Sequence, residues 1–158
     1  MSANFDVGVT IEPCRSVETA GWLALRLALW PHHGQDEHAA EMASFLAEPS
    51  RFAQYMAYKD SRLPVAFVEI ALRHDYVNGT STSPIAFLEG IYVVPSSRRQ
   101  GIARSLVNAA ESWARGQGCS EFASDASIDN VASHKMHRAL GFEESERVVY
   151  FRKSLSPR

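Results

Sequence analysis

The chain has 158 residues, of which 46% are hydrophobic and 22% charged, and this composition predicts a single globular domain over residues 1–158. Its net charge of −2 provides no general attraction to nucleic acid, so no nucleic-acid partner is expected. The apolar runs are too short to span a membrane, and the N-terminus lacks a basic region followed by an apolar stretch. These features favour a cytoplasmic protein with no membrane partner. Cys14 and Cys119 are too few and too far apart to indicate a disulfide framework.

The hydrophobic periodicity, taken in chain order, predicts an α/β fold. In the first half it predicts a strand over 5–11, helices over 16–30 and 35–46, and a hairpin of strands 52–58 and 64–72. Ser16 can cap the first helix, and Pro31 helps to end it. The second half is predicted to contain a polar loop over 74–83, strands over 84–94, 121–125 and 148–152, and helices over 101–115 and 130–140. This order is typical of a mixed central sheet flanked by helices.

The most informative segment is 88–107, where a hydrophobic strand is followed by a short loop and an amphipathic helix. Such an order directs several backbone N–H groups and the positive end of a helix dipole toward one point, which suits phosphate. Gly101 lets the backbone approach a ligand closely, while Arg98, Arg99 and Arg104 can add charge-assisted hydrogen bonds. Taken alone, the pattern also fits an exposed turn with solvated arginines.

Two motifs together resemble the GNAT superfamily of N-acetyltransferases. The first is the acetyl-coenzyme A signature, which this chain matches with Arg98-Arg99-Gln100-Gly101-Ile102-Ala103. The second is an Asn-to-Gly-Phe helix motif, matched at the same offsets by Asn130, Ser133, Met136 and Gly141-Phe142. The resemblance implies a single-domain GNAT fold and acetyl-coenzyme A as cosubstrate. It implies cofactor contacts from Ile91, Val93, Arg98, Arg99, Gln100, Gly101, Ile102, Ala103, Arg104, Asn130 and His137.

Acetyl transfer from a thioester to an amine needs a proton acceptor for the amine and a donor for the oxyanion. Glu89 lies inside an apolar strand, where a carboxylate is costly unless it faces a polar cavity, so we expect it to take the amine's proton directly or through water. The alternative is that Glu89 pairs with a buried arginine. Gly90 predicts a β-bulge that would expose backbone N–H groups to the thioester carbonyl.

Three further residues are candidates for the chemistry. Asp125 ends a strand at the carboxyl edge of the sheet, although a turn or helix-capping role is also open. Tyr76 could stack on a sugar ring or donate a hydrogen bond, or it could be an ordinary surface tyrosine. His137 stands where many GNAT proteins place a tyrosine that protonates the leaving thiolate; it could do the same or only touch the pantetheine arm. His134 and His137 have no acid or cysteine at a matching spacing, so no metal is expected.

Several segments, from about residue 22 to 153, resemble the bacterial aminoglycoside 6'-N-acetyltransferases. They are Leu29-Trp30-Pro31, residues 73–79, Ser83-Pro84, residues 87–91, residues 123–125, His137 and residues 140–144. The resemblance implies an antibiotic site that includes Tyr76, Glu89 and Asp125, and a homodimer in which both chains shape that site.

An aminoglycoside is a polycation, so its site should concentrate carboxylates. Of the acidic residues we expect only Glu89, Asp125 and Glu146 to bind substrate, and Trp30 either covers a sugar ring or belongs to the core. Two alternatives remain: a GNAT enzyme that acetylates another small amine or a protein N-terminus, and a non-catalytic acetyl-coenzyme A-binding module.

Overall fold

The computed structural model describes residues 8–157. Five strands are present in this range: β1 (Thr10–Pro13), β2 (Phe52–Lys59), β3 (Leu63–Arg73), β4 (Ile85–Val93) and β5 (Phe122–Ala123). The same residues form four α-helices: α1 (Trp22–Leu29), α2 (Gln35–Ala47), α3 (Ile102–Gly116) and α4 (Val131–Ala139). Residues 5–7 of the predicted strand over 5–11 lie outside the described residues, and the strand observed there begins at Thr10. The mixed α/β architecture is confirmed.

The sheet has the order β1-β2-β3-β4-β5, in which the first four strands are antiparallel and β5 runs parallel to β4. The hairpin of β2 and β3 is confirmed, with a short 3₁₀ helix at Asp60–Arg62 in its turn. Where β3 pairs with β4, Glu69 is opposite Gly90 but Ile70 is opposite Leu88. Glu89 is therefore the extra residue of a β-bulge, as Gly90 predicted.

Helix α3 packs on the sheet through one apolar face, of which Ile102, Leu106, Val107, Ala110 and Ala114 are buried. A second apolar cluster, between α1, α2 and the sheet, is centred on Trp22, Met42, Met56 and Phe67. The buried residues of α3 recur at the spacing of one helix face, as a helix that covers a sheet requires. Helices α1, α2 and α3 therefore all contribute buried apolar side chains to the core beside the sheet.

The predicted start of the first helix at Ser16 is wrong. Residues 16–19 form a turn in which the Thr19 hydroxyl donates to the Ser16 carbonyl at 2.7 Å, and the helix begins only at Trp22. Gly21 at φ 85° adopts the left-handed conformation, which a continuous helix cannot contain. The end of the helix is close to the prediction, since Trp30 is its C-cap and Pro31 follows.

The chain divides into two compact units, one ending at Asp125 and the other beginning at Ala126. In the second unit α4 is followed by residues 143–157 without regular secondary structure. The predicted strand over 148–152 is therefore wrong: a strand needs a hydrogen-bonded neighbour, and β-propensity alone does not supply one.

Candidate functional site

Glu89 is held at the surface of the bulge by an ion pair. Its carboxylate accepts a hydrogen bond from the Arg73 guanidinium at 2.8 Å, and the two side chains are 34% and 42% exposed. Arg73 also lies over the Phe87 ring, 3.7 Å from its centroid. The sequence left open a pair with a buried arginine, but Arg73 is solvent-accessible. A cationic ligand can therefore compete with Arg73 for this carboxylate.

An open cavity of about 380 Å³ adjoins Glu89. Its walls combine Trp30 and Phe45 with three carboxylates, Glu41, Glu69 and Glu89. Trp30 and Glu89, both expected in the substrate site, are thus brought together. Neither Tyr76 nor Asp125 lines this cavity in the part of the chain that the structure describes.

A buried ionic network forms the floor of the cavity, and the sequence analysis missed it. Arg26 of α1 is only 1% exposed and binds the carboxylates of Glu69 and Glu41, of which Glu41 is 54% exposed. Glu69 also accepts a hydrogen bond from the Trp22 indole N–H at 2.9 Å. Burial raises the pKa of the Glu69 carboxyl, while the adjacent Arg26 charge opposes that rise. One arginine for two carboxylates leaves a negative excess, which faces the cavity at Glu41.

The predicted phosphate loop has the expected helix start. Gly101, at φ 80°, immediately precedes α3 and has no side chain that could cap the helix. The N-terminus of a helix favours an anion, because its dipole is positive there. Arg98 donates to the Val93 carbonyl at 2.8 Å, and Arg99 adopts a positive φ of 60°. Lys59, which the prediction did not include, donates to the Gln100 side chain at 2.5 Å and adds another cation. This loop can neutralise the phosphates of a nucleotide cofactor.

Residues Ile91 and Val93 continue β4 beyond the bulge and are half-buried there. They pair with Val68 and Ala66 of β3. These positions connect Glu89 to the phosphate loop along one strand. Ile102, Ala103 and Arg104 then form the first turn of α3, as predicted.

The second unit contains the other predicted cofactor residues. Asn130 caps α4, since its side-chain oxygen accepts from the Ser133 N–H at 3.1 Å. His137 Nδ1 lies 2.7 Å from the Ser133 carbonyl, which can only accept, so the proton is on Nδ1. The helix ends as predicted at Gly141, with Phe142 N–H donating to the His137 carbonyl at 2.9 Å. Phe142 is only half-buried, contrary to the expectation that it is buried, and Glu146 is exposed.

Tyr76 and Asp125 are surface residues of the first unit. Tyr76 is 77% exposed in the loop between β3 and β4, and Asp125 is exposed two residues beyond β5. The loop of Tyr76 is tied down by Glu121, whose carboxylate accepts backbone N–H bonds from Ser81 at 3.0 Å and Thr82 at 2.8 Å. Both candidates are accessible to a ligand.

The two cysteines are buried and unsuited to nucleophilic catalysis. Burial raises the pKa of the Cys14 thiol, the nearby Glu69 charge raises it further, and burial also raises the pKa of Cys119. A raised pKa keeps a thiol protonated and unreactive at neutral pH.

Among residues 8–157, no cluster of three or more metal-binding side chains occurs. Within that range no helix is both long and apolar enough to cross a bilayer.

Comparison with known proteins agrees with this geometry. Residues 19–142 match the Acetyltransferase (GNAT) family. An aminoglycoside N(6')-acetyltransferase type 1 of Serratia marcescens is 54% identical over 134 residues, covering 85% of this chain and 91% of that protein. The crystal structure of aminoglycoside 6'-N-acetyltransferase AAC(6')-Ih from Acinetobacter baumannii is similar, with a TM-score of 0.89 and 50% identity over 94% of this chain and all of that chain. AAC(6')-Iy bound to the bisubstrate analogue CoA-S-monomethyl-acetylneamine matches with a TM-score of 0.87 and 41% identity, over 93% and 99% of the two chains.

Proposed function

Because the chain belongs to the GNAT family of acetyltransferases, we propose that it transfers the acetyl group of acetyl-coenzyme A to the 6'-amine of aminoglycosides. The observation that carries this proposal is the cavity beside the β4 bulge, which joins an aromatic wall to several carboxylates. Such a lining suits a sugar that bears ammonium groups. The names of the similar proteins, including the neamine analogue bound to one of them, support the same acceptor.

The acceptor binds when one of its ammonium groups replaces a guanidinium group beside the cavity. A substrate ammonium displaces the accessible Arg73 guanidinium from Glu89 and makes the same kind of ionic hydrogen bond. The negative excess at Glu41 attracts a second ammonium. Trp30 contributes an aromatic wall for a sugar ring.

Transfer proceeds by direct attack in a ternary complex. The amine gives up a proton to Glu89, directly or through water, and its nitrogen forms a bond with the thioester carbon. Backbone N–H groups at the bulge stabilise the oxyanion while the carbon–sulfur bond breaks. Asp125 and Tyr76 orient the acceptor from the neighbouring strand end and loop, and Glu146 supplies another carboxylate.

The departing thiolate takes a proton before coenzyme A leaves. His137 is the candidate donor, but its Nδ1 proton is engaged with the Ser133 carbonyl. Donation from the other ring nitrogen therefore requires the imidazolium form. The phosphate loop and the start of α3 hold the cofactor, with Arg98, Arg99 and Arg104 as charged contacts and Asn130 ordering α4.

Acetylation removes a positive charge and a strong donor from the drug. The product would bind the phosphate-rich RNA target less tightly, which is the physical basis of resistance. We also propose that the enzyme acts in the cytoplasm.

We also propose a homodimer. Val149, Tyr150 and Phe151 are 77%, 80% and 93% exposed, and no described residue from Ala126 onward is buried. An apolar segment of this kind favours association with a second copy of the chain. Sedimentation of Phe151→Asp should show monomer where the wild-type protein shows dimer, whereas Ser154→Asp in the same segment should not. A monomeric wild-type protein would contradict the proposal.

The function is tested by thiol release from acetyl-coenzyme A with two related aminoglycosides, one carrying a 6'-amine and one a 6'-hydroxyl. Turnover with the 6'-amine alone is expected. Equal turnover would move the reaction to another amine. Turnover with neither, together with binding of acetyl-coenzyme A, would indicate another acceptor or a non-catalytic module.

A further inference from the structure

We propose that His38 is a positioning residue for the acceptor site, acting through Trp30. The proposal rests on the proposed function in that it assigns Trp30 to the acceptor cavity. His38 belongs to α2, is 1% exposed, and lies between Arg26 and Trp30. Nothing in the chemistry of acetyl transfer uses this buried imidazole directly.

The hydrogen bonds of His38 define its tautomer. Arg26 Nε–H lies 3.1 Å from His38 Nδ1, and because a guanidinium has no acceptor, Nδ1 must accept. His38 Nε2 lies 3.1 Å from the Trp30 carbonyl, which can only accept, so Nε2 must donate. The imidazole is therefore neutral and carries its proton on Nε2. It links a buried cation to the backbone of Trp30.

Trp30 depends on this link because it stands just beyond the last turn of α1. Its N–H still donates to the Arg26 carbonyl at 2.8 Å, but its own carbonyl points beyond the helix toward His38. Within residues 8–157, the one other hydrogen bond to that carbonyl comes from the His33 N–H, at 3.4 Å. The His38 bond thus fixes the peptide that follows the indole-bearing residue.

The indole is placed accurately by its surroundings. It packs edge-on against Phe67 with centroids 6.0 Å apart, and the Arg26 guanidinium lies 4.9 Å from its ring centroid. It also covers Gly90, where an added Cβ would come within 2.5 Å of two ring carbons. Since Gly90 follows Glu89, a shift of the Trp30 backbone would move the aromatic wall relative to the carboxylate that binds the amine.

Two substitutions separate positioning from mere stability. In His38→Gln the side-chain amide can still donate to the Trp30 carbonyl, whereas in His38→Asn the shorter side chain can still accept from Arg26. Arg26 is the more deeply buried of the two partners of His38, since Trp30 is half-buried, so His38→Asn should be the more stable variant in urea unfolding. Positioning predicts the opposite order for acceptor binding. The acceptor KM should rise roughly two- to tenfold in His38→Asn and stay near the wild-type value in His38→Gln, with the KM for acetyl-coenzyme A unchanged in both.

Leu106→Ala is the control, because Leu106 is fully buried on α3 and lies outside the apolar cluster against which Trp30 packs. It should lose stability without raising the acceptor KM. If the acceptor KM follows the stability order across all three variants, the positioning role is overturned.

A spectroscopic arm keeps this test independent of the proposed acceptor. The Trp30 signal is isolated in each background by subtracting the fluorescence of the corresponding Trp30→Phe variant. Acrylamide should quench this signal more strongly in His38→Asn than in wild type or His38→Gln. Equal quenching in all three overturns the inference, whereas absence of turnover by wild-type protein with any aminoglycoside overturns only the proposed function.

Discussion

Glu89 and Asp125 each lie two residues beyond the last paired position of two neighbouring parallel strands. Phe87 of β4 is paired with Ala123 of β5, and each carboxylate stands two residues beyond its member of that pair. Parallel strands lie about 4.8 Å apart, so the end of β5 lies beside the part of β4 that immediately precedes the bulge. The bulge at Glu89 then shifts that side chain relative to the regular pleat.

The first prediction concerns these two carboxylates. Glu89→Gln should lower kcat by about 100-fold because it removes the proton acceptor, and Asp125→Asn should raise the acceptor KM about tenfold. Neither should change the KM for acetyl-coenzyme A. Glu111→Gln is the control, since Glu111 is 33% exposed, like Glu89, and pairs with Arg115 on α3. Weaker cofactor binding in Glu89→Gln or Asp125→Asn would show that these residues belong to the cofactor site and not to the acceptor site.

The cofactor loop gives the complementary prediction. Gly101→Val puts a β-branched residue at φ 80°, which should strain the start of α3 and raise the KM for acetyl-coenzyme A at least about tenfold. Gly118→Val imposes similar strain at φ 84° beyond the other end of α3, where a Cβ would contact nothing within 4 Å. Steady-state kinetics should therefore show a cofactor defect in Gly101→Val alone. An equal defect in both would indicate general destabilisation.

The parts of the molecule that follow local rules were predictable from sequence. The helix after Gly101 and the Gly141-Phe142 helix end depend on neighbouring residues, and both appear as expected. The strand over 148–152 failed because its pairing partner is not encoded locally. Its apolar residues favour a strand, but they do not identify a neighbouring strand with which the segment could pair.

The buried network was missed for a different reason. Arg26 and Glu69 are separated by 43 positions, so no local pattern links them. A signal did exist: Arg26 is the only charged residue of α1, and Glu69 is the only charged residue within the apolar run of β3 before Arg73. Lone opposite charges on two apolar elements indicate a buried pair, because neither could be buried alone.

The contact between Trp30 and Gly90 predicts a coupling between α1 and β4. Gly90→Ala introduces a Cβ 2.5 Å from the indole, which should cost about 1–3 kcal/mol of unfolding free energy. In a Trp30→Leu background the same substitution should cost much less, since the ring is gone. Urea unfolding of the two single variants and the double variant measures this coupling. Additive costs would show that the indole does not determine the need for glycine.

The pH dependence of stability should depend on the hydrogen bonds between Glu121 and the loop that carries Tyr76. The Thr82 hydroxyl and the backbone N–H groups of Ser81 and Thr82 hold the pKa of Glu121 below its usual value of 4.5. A depressed acid pKa stabilises the fold above the unfolded pKa, and this contribution is lost as pH falls through the folded pKa. The urea midpoint should therefore fall less between pH 6 and pH 3 in Glu121→Gln than in wild type, with Thr82→Val intermediate. Parallel pH profiles would contradict this role.

The buried pair of Arg26 and Glu69 yields the largest predicted stability change. Arg26→Met leaves the Glu69 carboxylate buried without its cation and should cost about 3–5 kcal/mol in urea unfolding at pH 8. Adding Glu69→Gln removes the charge while an oxygen remains for the Trp22 indole N–H, so the double variant should recover much of the loss.

The sign of the pH effect in Arg26→Met follows from the same pair. Burial already raises the pKa of Glu69 above 4.5, and loss of the Arg26 charge raises it further. Between the unfolded and folded pKa values the folded protein then binds the extra proton, so stability falls as pH rises through that window. The deficit of Arg26→Met relative to wild type should be larger at pH 8 than at pH 5. A deficit that does not change with pH would mean that lost packing of the Arg26 side chain, rather than the stranded carboxylate, causes the instability.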